Sequence, residues 1–219
     1  MNSKSTKRLV MCALAAAMAA GTLSACLPLL VGGAAVGSTL VVSDRRTSGA
    51  QLEDEGIELR SNSRIRSNVG DRVNVNVNSY NRQVLLSGEV PSAQDKVLVE
   101  QIVSKVENVT AVVNELAVMG NSNLTQRSSD ALVTGRIKAA LIDARDLFAN
   151  SFRVNTERGT VYMMGRVTQR EADRGTAVAR ATPGAQKVVR IFEIISEEEL
   201  ARQLPSPARP ASPPGRPAN

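Results

Sequence analysis

Val73, Val75 and Val77 alternate with Asn74, Asn76 and Asn78, the period-two pattern of a strand with one face in a core and the other in water. A second apolar run, Val84-Leu85-Leu86-Ser87-Gly88-Glu89-Val90, follows after Tyr80 to Gln83, a gap short enough for a hairpin. Val99, Ile102, Val103 and Val106 then line one helical face. That helix opens at Pro91-Ser92-Ala93-Gln94-Asp95, a serine cap with an acid three residues on. Ala111 to Val118 reads as a closing strand.

The pattern recurs. Phe152-Arg153-Val154, Glu157-Arg158-Gly159 and Val161-Tyr162-Met163-Met164-Gly165-Arg166-Val167 answer the first strands and their turn at an offset of 77. Thr168-Gln169-Arg170-Glu171 repeats the helix cap, and Lys187 to Ile195 repeats the last strand at an offset of 76. Upstream, Arg64-Ile65-Arg66 is matched to Arg136-Ile137-Lys138 at an offset of 72, which predicts five extra residues between first helix and first strand in the second copy. Gly88 and Gly165 occupy matching points of the second strands, where a missing side chain lets a helix approach or permits a bulge. The fold class is therefore α+β: two tandem αββαβ units of roughly 70 residues, each a three-stranded mixed sheet covered by two helices. The expected boundaries are 51–119 and 128–196, with a linker over 120–127 and a tail over 197–219 that is acidic at first and proline-rich after Leu204. Six of the nine prolines fall in Leu204 to Asn219, a composition expected to be extended and disordered.

The other end carries export information. Lys4, Lys7 and Arg8 precede an apolar run from Leu9 to Ala20, and Leu23-Ser24-Ala25-Cys26 follows. This is the charged, apolar and cleavage-region order of a secretory leader over residues 1–25, and the run is too short to span a membrane as a helix. Small residues directly before a cysteine resemble the lipobox, which makes Cys26 the acylated first residue of the mature chain. Residues 26–50 are then the acylated N-terminus and a glycine-rich linker. Leu at position 27, rather than Asp, removes the usual inner-membrane retention signal, so the outer membrane is expected.

Composition narrows the chemistry. The chain has no histidine and no tryptophan, which excludes Ser-His-Asp and Cys-His catalysis and removes the commonest transition-metal ligand. Neither a metal nor a cofactor is expected. After cleavage Cys26 is the single cysteine, so no intramolecular disulfide forms. Five rings, Tyr80, Tyr162, Phe148, Phe152 and Phe192, are too few for a base-stacking platform, and nucleic acid is not an expected partner. Lys+Arg number 27 in all and 24 without the three in the leader, against 21 Asp+Glu, a mild positive balance suited to anionic lipid. Glu53, Asp54, Glu55 and Glu58 are read as the first turn of a helix, where acids suit the positive end of its dipole. No second carboxylate stands at a spacing that points to an enzyme.

The lipobox, the glycine-rich spacer, Ser43-Asp44-Arg45-Arg46-Thr47-Ser48-Gly49-Ala50-Gln51 and the two αββαβ units together resemble the dual-BON-domain outer-membrane lipoproteins of the DolP type. The most telling pieces are Leu86-Ser87-Gly88, Met163-Met164-Gly165 and Val167-Thr168-Gln169-Arg170-Glu171-Ala172. The resemblance implies a non-enzymatic, lipid-anchored protein facing the periplasm, which binds anionic phospholipid and supports outer-membrane integrity at division sites. It also implies a membrane contact through the first helix of the second domain, over Ser129 to Arg136, with Leu132, Val133 and Arg136 as the contact residues. The family pattern carries a tryptophan near Leu132, and this chain has none. On helical spacing alone, Val133, Ile137, Ala140 and Leu141 face the sheet while Leu132 points elsewhere, above Arg136. The competing expectation is an adaptor that docks an outer-membrane assembly protein through Glu197-Glu198-Glu199.

Overall fold

The computed structural model describes residues 44–203. The leader 1–25, Cys26 and the proline-rich stretch from Leu204 lie outside the described residues. The first domain runs α1 (Ser48–Val69), a 3-10 turn (Gly70–Arg72), β1 (Asn74–Tyr80), β2 (Gln83–Val90), α2 (Ala93–Ser104), β3 (Ala111–Asn114) and β4 (Ala117–Val118). The second runs α3 (Leu124–Asp143), a 3-10 turn (Ala149–Ser151), β5 (Phe152–Glu157), β6 (Thr160–Thr168), α4 (Gln169–Ala181) and β7 (Lys187–Ile195), followed by α5 (Glu197–Gln203). Both sheets are mixed. β1 pairs antiparallel with β2, and β3 and β4 run parallel to β2; β5 pairs antiparallel with β6, and β7 runs parallel to β6.

Local chemistry explains these elements. Asn81 and Arg82, then Arg158 and Gly159, all have positive φ, the two-residue hairpin geometry whose twist matches the strands it joins. Ser92 accepts from the Asp95 N–H, and Thr168 with Glu171 forms a complete capping box. The expected closing strand Ala111 to Val118 is interrupted, because the Leu116 N–H turns to Asn114 Oδ1 and buries the leucine.

Several expectations are corrected. Helix α1 starts at Ser48, capped by Thr47, so Glu53 to Glu58 lie in its second and third turns rather than its first. Helix α3 begins inside the expected linker, capped by Asn123. The acidic run at 197–199 is the start of α5, whose Leu200 is buried. At Gly88 and Gly165 the close neighbour is not a helix. A Cβ would lie 2.1 Å from the Asn74 carbonyl oxygen at the first and 2.3 Å from that of Ser151 at the second, so it is the adjoining chain of the paired strand that excludes a side chain.

The register of the repeat also changes. The caps Thr47 and Asn123, and the buried acids Asp54 and Asp130, are each 76 apart. Aligning the first helices at 72 slipped them by four residues. One helical turn keeps the same face inward, so an apolar pattern alone does not detect the slip.

The helices of each domain cover one face of its sheet. Ile57, Ile65, Val99 and Val103 close the first core on Val77, Val84, Leu86 and Val90. Val133, Ile137, Leu141, Ala172 and Ala179 close the second on Val154, Val161, Met163 and Val167. The opposite sheet faces meet each other, with Tyr80 and Leu85 against Tyr162, Met164 and Ile191. The result is four layers, helices–sheet–sheet–helices, with β2 and β6 buried on both faces. Polar contacts surround this apolar contact in a two-fold-like exchange. Arg158, at the second hairpin turn, donates to Glu89 at 2.7 Å, and Asn81, at the first, donates to Glu193, which also pairs with Arg166. Positions 81 and 158, and positions 89 and 166, are repeat counterparts.

Candidate lipid-contact site

Helix α3 is held onto its sheet by Asp130. Its carboxylate accepts the N–H groups of Arg158 at 2.8 Å and Gly159 at 2.9 Å, closing the β5–β6 turn onto the helix. Asp54 does the same for the first domain, taking the N–H groups of Asn81 and Arg82 and the Ser79 hydroxyl. Burial pushes the Asp54 carboxyl up, but these bonds and the Arg46 guanidinium outweigh it and hold it below the usual range. These paired clamps escaped sequence reasoning. Aligning the copies on buried acids rather than on apolar residues was the signal that finds them.

The three expected contact residues separate. Val133 is 4% exposed and belongs to the second core, so it is removed from the contact surface: Asp130, Val133, Ile137 and Leu141 form the inward stripe of α3. Leu132 is 62% exposed. Arg136 is exposed beside it, its nearest partner the Pro183 carbonyl at 3.5 Å, a distance at which little bonding remains. Leu124 and Ile142 share the outward side of α3 with Leu132, Ile142 at 69% exposure. The exposed ionisable residues of α3 are three cations, Arg127, Arg136 and Lys138, and one acid, Asp143, at its last position.

Arg136 also borders an open groove of about 720 Å³ between α3 and α4, with Ala140, Ala144, Ala177, Val178 and Ala181 in its lining. The counterpart of Ala140 in the first domain is Arg64, which crosses between helices to the Lys105 carbonyl. The counterpart of Arg136 is Arg60, which is paired with Glu53 at 2.6 Å. Among the described residues Arg136 has no carboxylate partner of this kind. An apolar patch with unneutralised cations beside it matches a surface of negative headgroups over hydrocarbon. No group of histidine, cysteine, aspartate or glutamate side chains among the described residues is arranged to hold a metal.

Arg45 and Arg46, left without individual roles by sequence reasoning, lie before α1 and bind both domains. Arg45 makes a two-pronged pair with Glu171 at 2.6 and 2.8 Å, donates to the Arg166 carbonyl, and lies over the Phe148 ring. Arg46 pairs with Asp54 at 2.7 Å and with Asp44, and lies 4.3 Å over the Tyr80 ring.

The BON domain model matches residues 53–120 and 129–195. The chain is 31% identical to the outer membrane lipoprotein DolP of Haemophilus influenzae over 79% of its own length and 90% of that protein's. It is 29% identical to a 21 kDa hemolysin of Actinobacillus pleuropneumoniae over 69% of this chain and 79% of that one. Among solved structures, the C-terminal domain of CdsD, a structural protein of the type III secretion system of Chlamydia trachomatis, matches 69% of this chain and all of that one at 14% identity. Its TM-score of 0.28 is too low to bear on the arrangement.

Proposed function

The chain belongs to the BON-domain family as an outer-membrane lipoprotein of the DolP type, and on that premise we propose that it is anchored through acylated Cys26 and binds anionic phospholipid through the outward side of α3. In this reading Leu132 and Ile142 enter the headgroup boundary while Arg136 and Lys138 meet lipid phosphates, and the protein supports outer-membrane integrity from the periplasmic side, at division sites. It has no catalytic role. The supporting observation is the outward side of α3, where exposed Leu132 and Ile142 stand beside Arg127, Arg136 and Lys138, with Asp143 as the one exposed acid of the helix. Among the described residues no helix is long and apolar enough to cross a membrane. Each cation near an anionic surface contributes about 1 kcal/mol, and a partly buried leucine contributes a similar amount.

The adaptor reading takes second place because its acidic run is engaged within the fold. Glu199 pairs with Arg166, and Glu197 lies 3.9 Å from Arg170.

The test is flotation of the mature chain carrying Cys26→Ser, which cannot be acylated, with vesicles that contain or lack phosphatidylglycerol. Binding is expected only with the anionic lipid, falling with salt, and at least tenfold weaker in Leu132→Ala with Arg136→Ala. No flotation on either vesicle leaves Cys26 as the membrane contact and moves the adaptor reading to first place.

A further inference from the structure

Seventeen residues lie between Cys26 and Asp44. The folded body that begins at Asp44 is roughly 30–40 Å across, so the point at which the chain enters it biases which side faces the membrane holding the anchor. Arg45 and Arg46 determine that point. Arg45 is almost fully buried against a fully buried Glu171, and a two-pronged guanidinium–carboxylate pair restricts direction as well as distance. Arg46 holds the next residue to the first domain through Asp54 and Tyr80. Burial pushes the Glu171 carboxyl up, but Arg45 and the Thr168 N–H outweigh it and hold it below the usual range, so the carboxylate stays charged at neutral pH.

Asp44 and Arg46 line an open cavity of about 760 Å³ together with Lys138 and Ile142 of α3. The strap thus releases the chain beside the same helix that carries the exposed apolar patch. The α1–α2 layer lies on the other side of the two stacked sheets.

We propose that Arg45 and Arg46 are positioning residues that orient the lipid-anchored body with α3 toward its own membrane. This rests on the α3 reading above. Anchor and α3 then act as two linked contacts, and the strap raises the effective concentration of the second at the bilayer.

The experiment uses full-length acylated protein in vesicles with a quencher on the lipid headgroup. An environment-sensitive dye is placed by Ala139→Cys on the outward side of α3 or, in a separate protein, by Gln101→Cys on α2. On vesicles of neutral phosphatidylcholine, where charge attraction is absent, quenching is expected to be at least threefold greater at 139 than at 101. In Arg45→Ala/Arg46→Ala/Glu171→Gln the ratio is expected to fall close to one. The milder Arg45→Gln/Glu171→Gln, which keeps neutral hydrogen-bonding groups, is expected to lower it at least twofold and decides the matter if the triple variant does not fold. Equal ratios in parent and folded variants overturn the proposal, as does a parent ratio near one. Failure of the α3 reading registers separately, as absent flotation of the Cys26→Ser chain on phosphatidylglycerol vesicles. The Cys26→Ser form of the triple variant should float like its parent, an outcome that a general loss of structure does not allow.

Discussion

Helices α1 and α3 occupy the same place in the two domains, carry the same clamp and both expose leucines, yet they present different surfaces. Leu52 and Leu59 on α1 are 70% and 66% exposed, comparable with Leu132 on α3. Glu55 stands three residues after the first and four before the second, on the same outward side. Its counterpart on α3 is Ala131. Exposed apolar area does not distinguish the helices; the balance of charge around it does, with Glu55 and Arg66 exposed on α1 against three cations and Asp143 on α3. On the proposed reading, an anionic bilayer is attracted more strongly to the second face than to the first. The groove beside each first helix follows the same division, closed by Arg64 in one domain and open at Ala140 in the other.

The largest expected effect tests what the helices share. Asp54→Ala leaves two turn N–H groups and the Ser79 hydroxyl without their acceptor and removes one of the two carboxylates paired with Arg46. We expect a loss of about 3–5 kcal/mol in urea unfolding, since breaking a buried charged network strands its partners. Asp130→Ala strands two turn N–H groups and is expected to cost about 2 kcal/mol. Equal losses would mean that neither the Ser79 hydroxyl nor Arg46 adds to the first clamp.

Charge exchange tests what separates them. Arg136→Glu with Lys138→Glu should lower binding to phosphatidylglycerol vesicles by about thirtyfold or more, because two attractions of about 1 kcal/mol each are lost and repulsion replaces them. In the other direction, Glu55→Lys should raise vesicle binding several-fold by making the surroundings of Leu52 and Leu59 cationic. No gain would show that α1 differs from α3 in more than charge.

A smaller effect concerns the inward stripes. Ser61 on α1 is fully buried and its hydroxyl has no hydrogen-bond partner, whereas the counterpart on α3 is Ile137. Ser61→Ala should stabilise the protein by about 1 kcal/mol, read as a rise in the urea midpoint with an unchanged slope.

Much of the fold was legible in the sequence because local rules carried it. The Val/Asn alternation of β1, the caps at Ser92 and Thr168 and the second hairpin turn at Arg158-Gly159 each depend on neighbours within a few residues. Legibility ended where a feature depended on distant partners. Val133 had two expected positions, core and contact surface, and only its place in the core survives. Asp54 reads locally as a helix-dipole acid, and its role as a turn clamp depends on residues 25 to 28 positions away. Leu85 and Tyr162 read as ordinary strand residues, because nothing within a single strand says that its second face is also covered.

By itself the sequence determined the exclusion of histidine chemistry and the succession of helices and strands in two repeated units, and it supplies the leader pattern and Cys26 on which the anchoring proposal rests. Those follow from residue identity and short-range periodicity. Only the tertiary structure decided that the sheets stack face to face, that Arg45 reaches Glu171 across 126 positions, and which side of α3 is left exposed. These are consequences of long-range burial, where a charge finds its partner or an apolar face its cover only after distant segments have come together.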